Sequence, residues 1–181
     1  YTPSAYSWPS TMTDSQENEL TGEIQRLLRL LKMQTSIYNI ETRIGTNGKT
    51  YIMEVSPRGG GNRLAEMLHY ATGVDLITAT VRAAVGDSVE NIEQKPYNGH
   101  WAEVILHADK DGIFYSLEIS SEMRNKVIEE DLWVRPGDKV EAFNGANNAI
   151  GTLVLKFESE EELTSALANQ NLWITIKVGE S

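Results

Sequence analysis

Residues 39–63 read NIETRIGTNGKTYIMEVSPRGGGNR. The run divides into a strand that is expected over 36–44, a tight turn, a second strand over 50–56 and a glycine-rich loop. Asn47-Gly48 is a hairpin signal, because a type I′ turn needs positive φ at both central residues and Asn-Gly accepts that geometry. A two-residue loop pairs Thr46 with Lys49. It then sets Ile44 opposite Tyr51, Thr42 opposite Met53, Glu41 opposite Glu54 and Asn39 opposite Ser56. By alternation Ile52, Glu54 and Ser56 share the face of Glu41, while Tyr51, Met53 and Val55 share the other. Carboxylates directly opposite one another repel. A divalent cation between them resolves the conflict, since oxygen ligands suit Mg²⁺; the alternative is an exposed face whose charges are screened by water. Pro57 ends the second strand. Arg58, Gly59, Gly60, Gly61 and Asn62 then form a backbone that a ligand can approach closely. The loop is not a phosphate-binding P-loop, because no Gly-Lys-Ser/Thr follows it.

The stretch YNIETRIGTNGKTYIMEVSPRGGGNRL, residues 38–64, resembles the C-terminal half of an ATP-grasp catalytic domain. That family carries an acidic residue on a late strand and a Glu-x-Asn-x-Arg run on the next. Glu41 matches the first acid, Glu54 the second and Arg58 the arginine; the family's asparagine is Ser56 here. The resemblance implies Glu41, Glu54 and Ser56 as metal ligands, with Mg²⁺, or Mn²⁺ in its place, bound together with ATP. It implies Met53, just before the second acid, against the adenine ring, whereas the residue pattern alone reads Met53 as core packing. It implies Arg58 as the catalytic residue and Gly59, Gly60, Gly61 and Asn62 as a substrate loop.

The activity implied is that of an ATP-dependent carboxylate–amine ligase of amino-acid type acting through an acyl phosphate. Small-molecule carboxylate and amine substrates go with it. Two alternatives stay open: an enzyme like carbamoyl-phosphate synthase or biotin carboxylase, and a degenerate, non-catalytic ligand-binding domain. The family's nucleotide-gripping lysines, glycine-rich phosphate loop and N-terminal substrate domain have no match in this sequence. The chain begins at Tyr1 rather than Met, so the expectation is the C-terminal portion of a longer enzyme, inactive without its N-terminal part. A homodimer is compatible with this reading.

Composition sets the outer bounds. The chain has 181 residues, 40% of them hydrophobic, which is enough to build a core. Its formal net charge of −10 argues against nonspecific nucleic-acid binding, which needs a basic footprint. The absence of cysteine excludes disulfides and thiolate metal sites. No apolar run is long enough to span a membrane, so a cytoplasmic location and no membrane partner are expected. His69, His100 and His107 lack metal-ligand spacing, and no Gly-x-Ser-x-Gly elbow is present.

The expected class is α+β: the C-terminal part of an ATP-grasp domain, antiparallel sheet with helices, over 1–90, then a small β-rich domain over 91–181. Residues 1–13 read as irregular, either a strand end near Tyr1-Thr2-Pro3-Ser4 or a tail. Thr13 with Gln16 fits a capping box for a helix to Met33, its inner face built from Leu20, Ile24, Leu27, Leu28 and Leu31. Asn62 reads as the cap of a short helix from Arg63 to about Ala71, stopped by Gly73. Its start reads as an anion site to which Arg58 and Arg63 add charge. A further helix over 74–85 directs Ile77, Val81, Ala84 and Val85 inward. A polar linker over 87–99 follows. Strands over 101–108 and 113–119 flank Asp111-Gly112 as a second hairpin. Further strands are expected over 126–134, 139–143, 150–157 and 172–178, with a helix over 158–169 boxed by Ser159 and Glu162.

Overall fold

The computed structural model describes residues 3–89 and 92–180. The expected domain boundary at Glu90 and Asn91 lies outside them, as do Tyr1 and Thr2 of the expected strand end. In chain order the elements begin β1 (Ala5–Trp8), α1 (Asp14–Leu30), β2 (Asn39–Ile44), β3 (Thr50–Ser56), α2 (Leu64–Thr72) and α3 (Leu76–Ala84). They continue with β4 (His100–His107), β5 (Gly112–Ile119), α4 (Ser121–Arg124), β6 (Val127–Leu132) and β7 (Lys139–Val140), and end with β8 (Ala149–Phe157), α5 (Glu160–Ala168) and β9 (Ile174–Gly179). The class is α+β with antiparallel ladders. The elements gather into two compact units interleaved along the chain. One holds Tyr1–Pro9, Asn62–Gly73 and Lys95–Ser181, the other Ser10–Gly61 and Val74–Gln94.

In the second unit, α1 starts on the expected capping box. The Thr13 hydroxyl accepts from the Gln16 amide, and the Gln16 side chain accepts from the Thr13 amide. Gln16 also donates to the Gly48 carbonyl at 3.1 Å, which ties the helix start to the β2–β3 turn. Leu20 is buried, but Leu31, expected inside, is 56% exposed. α3 forms on a local cap, since Asp75 accepts from both the amide and the hydroxyl of Thr78. Its expected inner face is outward: Ile77, Val81, Ala84 and Val85 are all exposed. The helix thus rests on capping and propensity rather than on a covered apolar stripe.

In the first unit, a four-stranded sheet among the described residues runs β1-β4-β8-β6. The segment expected to be irregular supplies its edge strand, with Ala5 opposite Val104 and Trp8 opposite Trp101. Both faces of the central strands are covered. Ala102, Val104, Leu106, Leu153, Leu155 and Phe157 join a core with Leu163, Ala166 and Trp173. On the other face Trp101 and Val154 pack with Leu64, Met67 and Ala71 of α2. The β7-β5-β9 sheet adds Phe114, Leu117 and Ile176 to the first of these cores. α5 is capped by Ser159, which accepts from the Glu162 amide.

The expected hairpin at Asp111-Gly112 does not form. β4 pairs with β1 and β8, whereas β5 pairs with β7 and β9. A strand apolar on both faces needs a neighbour on each edge and cover on each side, and a plain hairpin with β5 supplies neither. Asp111 instead accepts from the Ala142 amide at 2.7 Å as the chain changes sheets. Gly112 serves close approach. Its φ is +154°, and a Cβ there would lie 2.1 Å from the Gly179 carbonyl oxygen. Gly112→Ala is therefore expected to push β9 off β5 and cost about 2–3 kcal/mol, as overpacked sites do. A lower urea midpoint with an unchanged m value is the measurement that checks it.

Candidate functional site

The two carboxylates that organise the reading of residues 39–63 do face each other. Glu41 pairs with Glu54, and Asn39 with Ser56. The route to that register differs from the expected one. Gly45 donates to Lys49 at 2.8 Å and Gly48 donates to Gly45 at 2.9 Å, so the loop holds three residues, Thr46 to Gly48. Only Gly48 takes the left-handed conformation, at φ 77°, as the three-residue loop with a terminal glycine requires. Asn47 uses its side chain instead, accepting from the Lys49 amide and donating to the Tyr51 hydroxyl.

The longer loop shifts the first pairs by one residue. Ile44 lies opposite Thr50 and Thr42 opposite Ile52, not Tyr51 and Met53 as expected. A β-bulge then restores the register at Glu41. Met53 is the extra residue of that bulge, an unpaired position on the longer strand. Ile52 consequently shares the face of Thr42 and Ile40, opposite to Glu41, and Tyr51 shares the face of Arg43. Met53 is 62% exposed, which overturns its reading as core.

Side-chain contacts complete this face. Arg43 bridges to Glu41 at 2.8 Å, and the Ser56 hydroxyl donates to Glu54 at 2.6 Å. Arg58 is exposed; its amide donates to the Ser56 carbonyl and its guanidinium to the Gly59 carbonyl, both at 2.8 Å. Nothing lies within 4 Å of a Cβ built on Gly61, and only Ile37 approaches one built on Gly59. Gly60 continues this backbone, and Asn62 ends it at φ 54°.

Among the described residues no group of three or more His, Asp or Glu side chains gathers to hold a metal. Two facing carboxylates and one hydroxyl nevertheless suit a magnesium ion that takes its remaining oxygens from phosphates and water, which is its usual mode beside nucleotides. Glu41, Glu54 and Ser56 would hold it, with Arg43 giving up its bridge to Glu41.

A second polar cluster, in the first unit, escaped the sequence reading. Arg63 bridges Glu129 at 2.5 Å, Asp131 at 3.2 Å and Glu66 at 3.3 Å. It is therefore saturated and adds no charge to an anion site. Asn62 does not cap α2, and the Arg63 side chain makes no cap bond either. The anion at this helix start belongs to the protein: Glu103 accepts from the Arg63 amide at 2.7 Å. Glu103 is fully buried on β4, and its Oε2 has no partner. Burial pushes its carboxyl up to about 7, helped by the charge of Glu66 and opposed by the Arg63 amide and guanidinium. The signal was present, since Glu103 is the lone acid within the apolar run WAEVIL. Tyr70 donates to Glu129 at 3.1 Å and stacks on Trp101 at 5.8 Å between ring centroids.

No family model matches the chain. The uncharacterized protein y4rH of Sinorhizobium fredii is 29% identical over 136 residues, covering 74% of this chain and 28% of its own. An L-amino acid ligase from Bacillus licheniformis is similar in structure at TM-score 0.83 and 17% identity, over 99% of this chain and 45% of that one. Phosphoribosylglycinamide synthetase from Anaerococcus prevotii follows at 0.81 and 18%, over 98% and 46%. The biotin carboxylase domain of 2-oxoglutarate carboxylase from Hydrogenobacter thermophilus, in complex with MgADP, ADP and bicarbonate, matches at 0.68 and 16%, over 96% and 39%. The chain thus spans less than half the length of each of these proteins. At such identities the likeness is one of fold.

The buried acid makes stability depend on pH. A carboxyl raised to about 7 in the folded state, against an ordinary 4.5, binds its proton more tightly when folded. Its stabilising contribution is complete below pH 4.5 and is lost as pH rises through 7. Glu103→Gln removes this dependence. Between pH 4.5 and 8 the stability of the variant relative to wild type is expected to rise by on the order of 3 kcal/mol, measured by urea unfolding at each pH.

Proposed function

We propose that this chain, which has the fold of part of an ATP-grasp enzyme, supplies the metal-binding and substrate-loop side of an ATP-dependent carboxylate–amine ligase. The observation that carries the reading is the pairing of Glu41 with Glu54 across β2 and β3, with Ser56 and Arg58 following on the same strand and loop. Like charges are held opposite each other only at a cost, and a cation shared with ATP phosphates turns that cost into a binding site. The overlap with the L-amino acid ligase supports an organic carboxylate as substrate, and the open glycine loop leaves room for one beside the backbone.

Each residue has a distinct task in this reading. Magnesium, when bound, neutralises phosphate oxygens and makes the terminal phosphorus open to attack by a carboxylate. Glu41, Glu54 and Ser56 would hold the ion, with the Ser56 hydroxyl also donating to Glu54 at 2.6 Å. Met53, raised from the strand by the bulge, offers an apolar surface to the adenine. Arg58, whose guanidinium donates to the Gly59 carbonyl, turns toward the substrate carboxylate and the charge that builds on the transferring phosphoryl group. Preorganised charge of this kind is commonly the largest catalytic contribution. Carboxylate attack on the terminal phosphorus releases ADP and leaves an acyl phosphate, from which the amine displaces phosphate with loss of a proton to form the amide. The Gly59–Asn62 backbone binds the carboxylate substrate during both steps.

A second reading is favoured by one observation. Arg43 already neutralises Glu41, as in a degenerate domain that binds a ligand without turnover. ATP-to-ADP turnover by the full-length protein against a panel of amino acids separates the two. Turnover that depends on both an amino acid and Mg²⁺ is expected, and its absence across the panel would return the domain to a binding role. The present chain by itself is expected to show no turnover, because the nucleotide-gripping lysines and glycine-rich phosphate loop that go with the resemblance have no match in its sequence. In the full-length enzyme, Arg58→Lys is expected to lower kcat/KM by roughly 10²-fold, since lysine keeps the charge but not the planar two-pronged contact. Steady-state kinetics alongside an unchanged melting temperature checks this.

A further inference from the structure

Gly59, Gly60 and Gly61 follow one another, and glycine has the largest backbone freedom to lose on ordering. A loop that binds substrate has to be held from its ends. Downstream, the chain leaves the glycines through Asn62, in the left-handed conformation at φ 54°, and enters α2 at Arg63. Helix starts leave amides without intrahelical partners, and a neighbouring Ser, Thr, Asp or Asn ordinarily accepts from them. Here neither Asn62 nor Arg63 does so. The acceptor comes from 40 residues away, the Glu103 carboxyl at 2.7 Å. The same residue is gripped a second time, because its guanidinium bridges Glu66, Glu129 and Asp131. The register explains how this is built. Glu103 on β4 and Glu129 on β6 both pair with Val154 of β8, so the two acids stand in one row across the sheet.

A fully buried carboxyl with one oxygen unpartnered is a costly choice for a packing position, which leucine would fill more cheaply. What the carboxyl supplies and leucine cannot is an acceptor for the Arg63 amide. We propose that Glu103 is a positioning residue that fixes the downstream end of the Gly59–Asn62 loop by accepting the Arg63 amide. Its functional consequence rests on the reading of that loop as the substrate loop; the anchoring itself does not.

The test compares the 181-residue chain with its Glu103→Gln and Glu103→Leu variants by NMR and amide hydrogen exchange, without nucleotide. Glutamine keeps a carbonyl acceptor in place, and leucine removes it at similar volume. In the leucine variant, exchange at the Arg63 amide is expected to accelerate by about tenfold or more while Val104 and Leu153 stay protected, and glutamine is expected to restore the wild-type rate. An unchanged rate at Arg63 in a folded leucine variant would overturn the proposal, as would glutamine behaving like leucine.

If leucine prevents folding, the Arg63 amide resonance decides. In the wild type it is expected to titrate with the carboxyl, near the value of about 7, and in Glu103→Gln not to titrate. Among the described residues the other charged or titratable groups on this face are Tyr6 on β1, Lys156 on β8, Glu129 and Asp131 on β6, and Arg63, Glu66 and Tyr70 at α2. A titration that persists in the glutamine variant would assign it to one of these and overturn the proposal. None of these readouts involves ATP. A failed anchor therefore leaves the ligase reading standing, and a failed turnover assay leaves the anchor standing.

Discussion

One amide proton, donated by Arg63 to a carboxylate with no access to solvent, joins the start of α2 to the central sheet. Much of the first unit follows from it. α2 must lie over the face of β4 that carries Trp101 and Glu103, and Met67 and Ala71 are then buried against Trp101 and Val154. The guanidinium of the same residue must meet the acids of β6. An ionisable group in such a place is tolerated when its hydrogen bonds and neighbouring charges offset desolvation. Here the offset is partial, and the carboxyl sits near 7 as a result.

The hairpin of the second unit solves a different problem with two opposed irregularities. A three-residue turn moves the pairing by one, and a bulge at Met53 moves it back. The net effect retains Glu41 opposite Glu54 while Ile52 turns inward and Met53 outward. Bulges of this sort re-aim side chains near functional sites, and the re-aimed residue here is the one that the ATP-grasp resemblance sets against an adenine. The anchoring of the turn to the start of α1 through Gln16 holds the hairpin from its other end.

The likeness to solved enzymes extends over nearly all of this chain and less than half of each of theirs. That pattern bears on architecture more than on chemistry, since one fold hosts many reactions. The proposed phosphoryl-transfer chemistry rests instead on the chain's own residue set: paired acids, an arginine just past the strand, and a run of glycines beside it.

By itself the sequence determined what depends on neighbours a few residues apart. The Thr13–Gln16 box, the Gly73 stop, the Ser159 cap and a strand on each side of Asn47-Gly48 were all legible there, although the first strand, expected over 36–44, begins at Asn39. Glu41 and Glu54 face each other as expected, but through a three-residue turn and a bulge at Met53 whose one-residue shifts cancel, and neither was legible in the sequence. Tertiary structure decided the rest. Alternation cannot register an extra residue in one strand, so Met53 was misassigned. A turn-like Asp111-Gly112 is indistinguishable in sequence from a crossing between sheets, where Gly112 is needed because another backbone passes within contact distance. The edge strand Ala5–Trp8 exists because β4 offers it a ladder, which no local propensity announces. Arg63 read as added charge at an anion site because Glu129, Asp131 and its amide acceptor Glu103 lie on other elements, brought to it only when the sheet assembles.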